Sequence, residues 1–416
     1  MMNLEALRQA DREIYGAVVG EMERQRSHIE LIAAENFVSE AVLCASGSVM
    51  TNKYAEGYPG ARYYGGCQFM DLVENIARDR VKAIFGAEHA NVQAHSGSQA
   101  NMAVFFGVLQ PGDTILSMSL AHGGHLSHGA KKSFSGMLYH AVHYGVSRQT
   151  EYIDMDEVRD QARKHRPKMI VLGASAYSRI IDFQAFYDIA REVGALTLVD
   201  IAHIAGLVAV GLHPNPVPLA DFVTLTTHKT MRGPRGGIIL CKNEYAQAID
   251  ASVFPGIQGG PLMHTVAGKA VALKEAMQPG FKAYQQRILD NCQCLLTQIK
   301  SAGYRIVSGG SDNHLFLVDL TSRGISGKKA SDLLEEAGII LNKNLIPFDS
   351  KPVTETSGVR IGTPATTTRG MGETEMKQIA NWTDQILSNP GNSSLRKRIR
   401  NEVIALCGRF PVGPDL

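Results

Sequence analysis

The sequence predicts an α/β protein: a mainly parallel sheet covered by helices in a large domain, followed by a smaller C-terminal α/β domain. Three observations carry that expectation. Short apolar runs recur at "TILSM" (114–118), "KMIVLG" (168–173), "LTLVD" (196–200), "FVTLT" (222–226) and "GIILC" (237–241). Helical patterns such as "FQAFYDIAREVG" (183–194) stand between several of them. The runs are continuously apolar rather than alternating, which suits strands buried on both faces.

In chain order, residues 4–31 read as helix, with Leu4, Leu7, Ile14, Val18 and Met22 among dispersed charges. "VENIARDRVKAIFG" (73–86) is amphipathic and opens the alternation of helix and strand. Residues 284–302 place Ile288, Leu289, Cys292, Leu295, Leu296 and Ile299 on one helical face and bridge into the smaller domain. There the pattern gives a strand at 314–320 and helices at 328–338 and 374–387. The expected organisation is an N-terminal helical arm over 1–60, a large domain over 61–280 and a small domain over 281–416. A chain of 416 residues is long for one core, which agrees with two domains.

Apolar content of 44% and charged content of 20% are those of an ordinary globular protein. A net charge of +2 asks for neither nucleic acid nor an anionic membrane. The six cysteines are scattered, and Cys292 and Cys294 are too close for a CxxC pair, so no metal site is expected and free thiols are. The charged N-terminus lacks the apolar core of a signal peptide, and no run approaches 18 apolar residues. The cytoplasm is the expected location.

Ligands of open α/β sheets bind at the carboxyl ends of the strands. Three features fall there. Asp200 ends the run "LVD", with His203 three residues on. Lys229 follows the next run, inside "TLTTHKTMRGPRGG" (224–237). "QAHSGSQAN" (93–101) is a Ser/Gly turn entering an apolar helix, a start that offers N–H groups to an anion. Each has a bland reading: a snorkelling lysine, a turn aspartate, a helix N-cap at Ser96 or Ser98. Together they fit pyridoxal 5′-phosphate, which needs a lysine for its aldehyde, a carboxylate for its ring nitrogen and a helix start for its phosphate. No GxGxxG or GxxxxGK[ST] supports a nucleotide instead.

Seven strings then point to a family. "TNKYAEGYPGARYYGGC", "HSGSQAN", "LAHGGHLSHG", "VDIAHIAGLV", "THKTMRGPRGG", "FPGIQGGPLMH" and "SGVRIGTPATTTRG" resemble segments of serine hydroxymethyltransferases, in order, from about residue 10 to beyond 390. The resemblance implies a pyridoxal-phosphate-dependent enzyme of fold type I. It implies transfer of a one-carbon unit from L-serine to tetrahydrofolate, giving glycine, in a homodimer whose active sites are shared between subunits.

Site residues follow from the same resemblance. Lys229 would hold the cofactor, with His228 and Thr226 beside it. Asp200 would pair with the ring nitrogen, His125 would stack on the ring, and His203 and Ser175 would face its phenolic oxygen. Gly97, Ser98 and Arg235 belong to the cofactor set. Gly259 and Gly260 would complete the phosphate cup from the neighbouring subunit. Arg360 would clamp the substrate carboxylate, a task suited to its planar fork. Tyr54, Tyr64 and Glu56 would serve acid–base work and amino-acid binding. Leu120, Gly124, Leu126, Tyr63, Asn344, Val353 and Thr354 would line the folate slot, with Glu56 and His125 contributing.

Two departures matter. Where the family usually reads "LIASEN", this chain reads "LIAAEN", so Ala34 replaces an expected substrate-binding serine. Where "PFVTSG" is common, this chain reads "PVTETSG", which puts Thr354 and Glu355 in the loop before Arg360. Both touch binding rather than the Lys229–Asp200 pair. A folate-independent aldolase acting on β-hydroxy or α-methyl amino acids therefore stands as the alternative to the folate-dependent transferase. A non-catalytic scaffold is disfavoured because Lys229, Asp200, His125, Glu56 and Arg360 are all present.

Overall fold

The computed structural model describes residues 4–413. The chain divides into two compact units: Ala41–Gln286, and Met1–Glu40 together with Arg287–Leu416. That division differs from the expected one, because the first 40 residues group with the C-terminal segment rather than standing as an arm over 1–60.

The larger unit is built on a seven-stranded sheet. From one edge the strands are His89–Asn91, Gly237–Cys241, Phe222–Thr226, Leu196–Asp200, Met169–Leu172, Thr114–Met118 and His140–Tyr144. Only Gly237–Cys241 runs antiparallel to its neighbours. The five apolar runs read from sequence are therefore the sheet's interior. The two strands not foreseen are its edges. His140–Tyr144 has exposed histidines, as edge strands tolerate. In His89–Asn91 the polar side chains are bonded: His89 Nε2 lies 3.0 Å and Asn91 Nδ2 lies 2.8 Å from Asp250 Oδ1.

Helices cover the sheet, and their ends follow local chemistry. Asp182 caps Phe183–Val193 by accepting the Ala185 N–H, and Gly194 ends it in a left-handed conformation. Gln68–Phe85 ends the same way at Gly86. Beneath Gly97–Val108, the buried rings of Phe105 and Tyr139 meet with centroids 5.2 Å apart. Each buried side chain of that size contributes about 1.5–3 kcal/mol of apolar stabilisation.

The smaller unit carries a four-stranded antiparallel sheet, ordered Arg305–Ile306, Leu315–Asp319, Gly358–Gly362, Asn342–Asn344. Its core gathers Ile29, Leu31, Leu295, Phe316, Leu333 and Trp382. The helix expected over 4–31 is two helices, Leu4–Ala10 and Arg12–Ser27, followed by the strand Ile29–Glu30, which pairs with Ile339–Ile340. Asp11 breaks it by accepting N–H bonds from Glu13 and Ile14 as an N-cap. No helix of the described residues is long and apolar enough to cross a membrane.

One buried charge ties the large sheet to its covering helix. Lys269, on Met263–Ala276, is 1% exposed, and its Nζ donates to the carbonyls of Val92, Ala94 and Gly237 at 2.7, 2.9 and 2.9 Å. Burial pulls its pKa from 10.5 down to about 7, against the pull of Glu74. The unfolded chain keeps this proton until about pH 10.5, so folding stability rises with pH between those two values. Relative to Lys269→Met, the wild-type chain should gain about 2 kcal/mol of unfolding free energy between about pH 7.5 and 9.5. Urea unfolding at the two pH values checks this; parallel curves would refute it.

Candidate active site

The sheet's topology brings four candidate segments to one edge. Gly124 and His125 follow strand Thr114–Met118, and Ser175 follows Met169–Leu172. Asp200 ends Leu196–Asp200, and Lys229 lies three residues beyond Phe222–Thr226. These four strands are parallel neighbours, so their carboxyl ends align.

Asp200 is the best-held member. Its Oδ2 accepts from Asn101 Nδ2 at 2.8 Å and from His128 Nε2 at 3.0 Å, and its Oδ1 accepts from the Ala202 N–H at 2.9 Å. Burial alone would raise its pKa. The hydrogen bond and charge of His128, then His125 and Asn101, reverse that and hold the carboxyl below its ordinary value. Asp200 is therefore a carboxylate at neutral pH, and His128 must carry its proton on Nε2.

A second shell of bonds orients these donors. Thr224 Oγ1 donates to Asn101 Oδ1 at 2.6 Å, and Asn101 Nδ2 also reaches Ser127 Oγ at 2.9 Å. Ser127 in turn lies 2.7 Å from His125 Nδ1 and sends its backbone N–H to the same atom. With Nδ1 accepting, His125 keeps its proton on Nε2. The donor atoms of His125, His128 and Asp200 lie within 4.8 Å of one another, a spacing that a metal ion could also use.

Lys229 is buried, 8% exposed, in a turn fixed from several sides. The Arg232 N–H donates to its carbonyl at 3.0 Å, and Gly233 N–H to that of Thr227 at 2.7 Å. Thr230 Oγ1 donates to the carbonyl of His203 at 3.1 Å, tying this turn to the one after Asp200. Burial first, then Arg235, Lys229 and Lys269, bring the pKa of His228 down to about 3, so that it is neutral. Thr226 Oγ1 donates to Ala202 O at 3.3 Å.

The helix Gly97–Val108 starts beside this turn. Ser96 is its N-cap, accepting the Gln99 N–H at 3.2 Å, while Ser98 is exposed in the first turn. A Cβ on Gly97 would lie 2.6 Å from Thr226 Cγ2, so only glycine lets the helix start approach the strand end. The residues fit the expected cofactor on three counts: an ionised buried carboxylate, a confined lysine, and a helix start stripped of side-chain bulk.

The matching family is decisive here. The family described as serine hydroxymethyltransferase matches residues 7–383. The chain belongs to that family. The family is one of pyridoxal-phosphate-dependent transferases of fold type I, and the mostly parallel sheet with its helices agrees.

A second cluster forms around the segment 54–64. Within it Gly57–Tyr58 and Ala61–Arg62 pair as a short hairpin. The rings of Tyr54 and Tyr64 meet edge to face at 5.3 Å, and Tyr63 meets Phe254 at 5.5 Å. Glu56, by its charge and a hydrogen bond, raises the pKa of the Tyr54 hydroxyl. Gly259 and Gly260 lie against this cluster: a Cβ on Gly260 would come within 3.1 Å of the Tyr54 ring, and one on Gly259 within 3.7 Å of Glu56 Oε1. Leu120 and Leu126 stand exposed on either side of the buried Gly124.

The remaining candidates lie in the smaller unit. Arg360, on Gly358–Gly362, donates from Nε to Asn342 Oδ1 at 3.1 Å, and burial lowers its pKa to about 10. Asn344 turns its amide to Leu345 O, and Val353 and Thr354 are exposed. Ala34 is half-buried.

Asn101 and His128 are the residues that sequence reasoning missed. Both sit inside motifs already singled out. A polar side chain on the buried face of an otherwise apolar helix was the available signal for Asn101. Asn101→Ala removes one hydrogen bond to a charged group, worth about 1.5–3 kcal/mol. Turnover should fall about ten- to hundredfold with the cofactor still attached, read from steady-state rates and the visible absorption of the holoenzyme. Undiminished turnover would refute a role for the Asn101 bond.

Proposed function

We propose that this protein is a serine hydroxymethyltransferase, moving the hydroxymethyl group of L-serine to tetrahydrofolate and leaving glycine. The observation that carries the reading is the ionised, buried Asp200 held by Asn101 and His128 at the strand edge that also presents Lys229. Lys229 would hold pyridoxal phosphate, Gly97 and Ser98 its phosphate, and Asp200 its ring nitrogen. When bound, that group supplies an electron sink for breaking the Cα–Cβ bond of serine.

The protein's own residues do the rest. Asp200 is held as a carboxylate by its lowered pKa and would keep the cofactor's ring nitrogen protonated. The neutral His228 adds no competing charge beside Lys229. His125, its Nδ1 committed to Ser127, offers a fixed ring face. Arg360 remains charged at neutral pH even with its lowered pKa and would take the serine carboxylate through its fork. Glu56 would exchange the proton of the serine hydroxyl, with Tyr54 bonded to it.

A homodimer is part of the reading. Gly259 and Gly260 are expected to serve a second copy, and Tyr54 and Glu56 pack against them, so the whole cluster would serve that copy together. Tyr54, Tyr63 and Tyr64 are 57%, 70% and 50% exposed in the single chain, which supports a partner covering them.

The folate-independent aldolase is the second reading. Ala34 offers no hydroxyl, and the loop before Arg360 presents exposed Thr354 and Glu355. Purified holoenzyme should form glycine from L-serine at a rate raised at least about a hundredfold by tetrahydrofolate. Lys229→Ala should abolish both that rate and the yellow colour. A slow rate indifferent to folate would reject the transferase and favour α-methylserine or threonine-like substrates.

A further inference from the structure

Arg62 is 4% exposed, and its guanidinium uses three of its nitrogens on four acceptors. Nε donates to Asp71 Oδ1 at 2.8 Å and Nη2 to Glu74 Oε2 at 2.6 Å. Nη1 donates to the carbonyls of Ala55 and Gly57, each at 2.8 Å. These two carbonyls bracket Glu56. The clamp is anchored from behind, because Asp71 and Glu74 are one turn apart on the helix Gln68–Phe85. Glu74 is 1% exposed, and its Oε1 accepts from Gln93 Nε2 at 2.9 Å. Gln93 Nε2 also holds the Gly57 carbonyl at 3.0 Å.

The hairpin leaves little slack around that clamp. Gly57 has φ of 92°, and a Cβ there would meet Ala61 O at 2.3 Å. Asp71 Oδ2 accepts the Gly60 N–H at 3.0 Å, and the Tyr63 N–H reaches Glu56 O at 3.0 Å. The backbone on both sides of Glu56 is thus pinned, while its carboxylate stays free to meet Tyr54.

We propose that Arg62 is a positioning residue for the reaction, fixing the carboxylate of Glu56 by clamping the Ala55 and Gly57 carbonyls to Asp71 and Glu74. The inference rests on the acid–base role proposed above for Glu56. A lysine cannot replace the arginine, because a point ammonium has no planar fork to span two carbonyls and two carboxylates at once.

A double-mutant cycle of Arg62→Lys and Glu56→Gln tests this, with kcat and KM for serine in the presence of tetrahydrofolate. Arg62→Lys should lower kcat about ten- to hundredfold, with KM for serine changed less than about threefold. On the Glu56→Gln background the same change should cost less than about twofold, because the carboxylate it positions is gone. The holoenzyme's visible absorption and thermal unfolding are followed in parallel. If Arg62→Lys does not fold, Arg62→Met with Glu74→Met removes both buried charges and carries the same cycle. An equal loss on both backgrounds, or an unchanged kcat, overturns the positioning role. Wild-type turnover in Glu56→Gln alone would instead overturn the acid–base reading of Glu56, and the positioning role with it.

Discussion

Everything at the strand edge depends on keeping one buried carboxylate charged. Burial drives a carboxyl towards its neutral form, and Asp200 lies where little water reaches it. Three donors oppose that drive: the Asn101 amide, the His128 imidazole and the Ala202 N–H. Each donor is itself oriented. Thr224 fixes which way the Asn101 amide faces, and Ser127 links Asn101 to His125. The loop after strand Thr114–Met118 therefore does two tasks, supporting the carboxylate through His128 and presenting His125. Coupling those tasks in one short loop explains the need for Gly124, where a Cβ would lie 2.2 Å from Met118 O.

Charge is handled differently at each candidate base. Asp200 is buried and given donors, so it stays ionised. His228 is buried among Arg235, Lys229 and Lys269, so it stays neutral. Lys269 is buried against three carbonyls, with the charge of Glu74 only partly opposing the effect of burial, and its pKa falls to about 7. Arg62 is buried between two carboxylates and two carbonyls. Lys269 and Arg62 both grip main-chain carbonyls. Lys269 grips Ala94, two residues before the helix cap Ser96, and Arg62 grips the residues around Glu56. Main-chain carbonyls suit that purpose, since they cannot be protonated away as carboxylates can.

The parts of the fold legible in sequence were those set by burial on both faces. All five apolar runs are sheet strands, four of them on the expected bounds and the fifth within a residue of them. The edge strands were not legible, because His140–Tyr144 meets water and His89–Asn91 spends its polar side chains on Tyr58 and Asp250. The N-terminal segment was read as one helix because helical periodicity carries through Asp11, whose capping bonds only the structure displays. The placement of Asp200 and Lys229 at the carboxyl ends of parallel strands was legible, because both follow continuously apolar runs. Asn101 and His128 were not, since each becomes meaningful only when residues about 70 to 100 positions apart meet.

The two departures from the family pattern fall outside both clusters of the larger unit. Ala34 and Thr354 lie in the smaller unit, on segments tied to other parts of that unit, by Thr368 Oγ1 to Asn36 Oδ1 at 2.6 Å and Lys343 Nζ to Thr354 O at 2.7 Å. Neither change removes a donor to Asp200 or an acceptor from Arg62. A protein relaxing its substrate specificity would alter such peripheral binding segments first, because there a side chain can change without leaving a buried charge unpaired. Losing Asn101 or Glu74 would instead strip one hydrogen-bond partner from a buried charge, at about 1.5–3 kcal/mol, so those positions constrain the sequence more tightly.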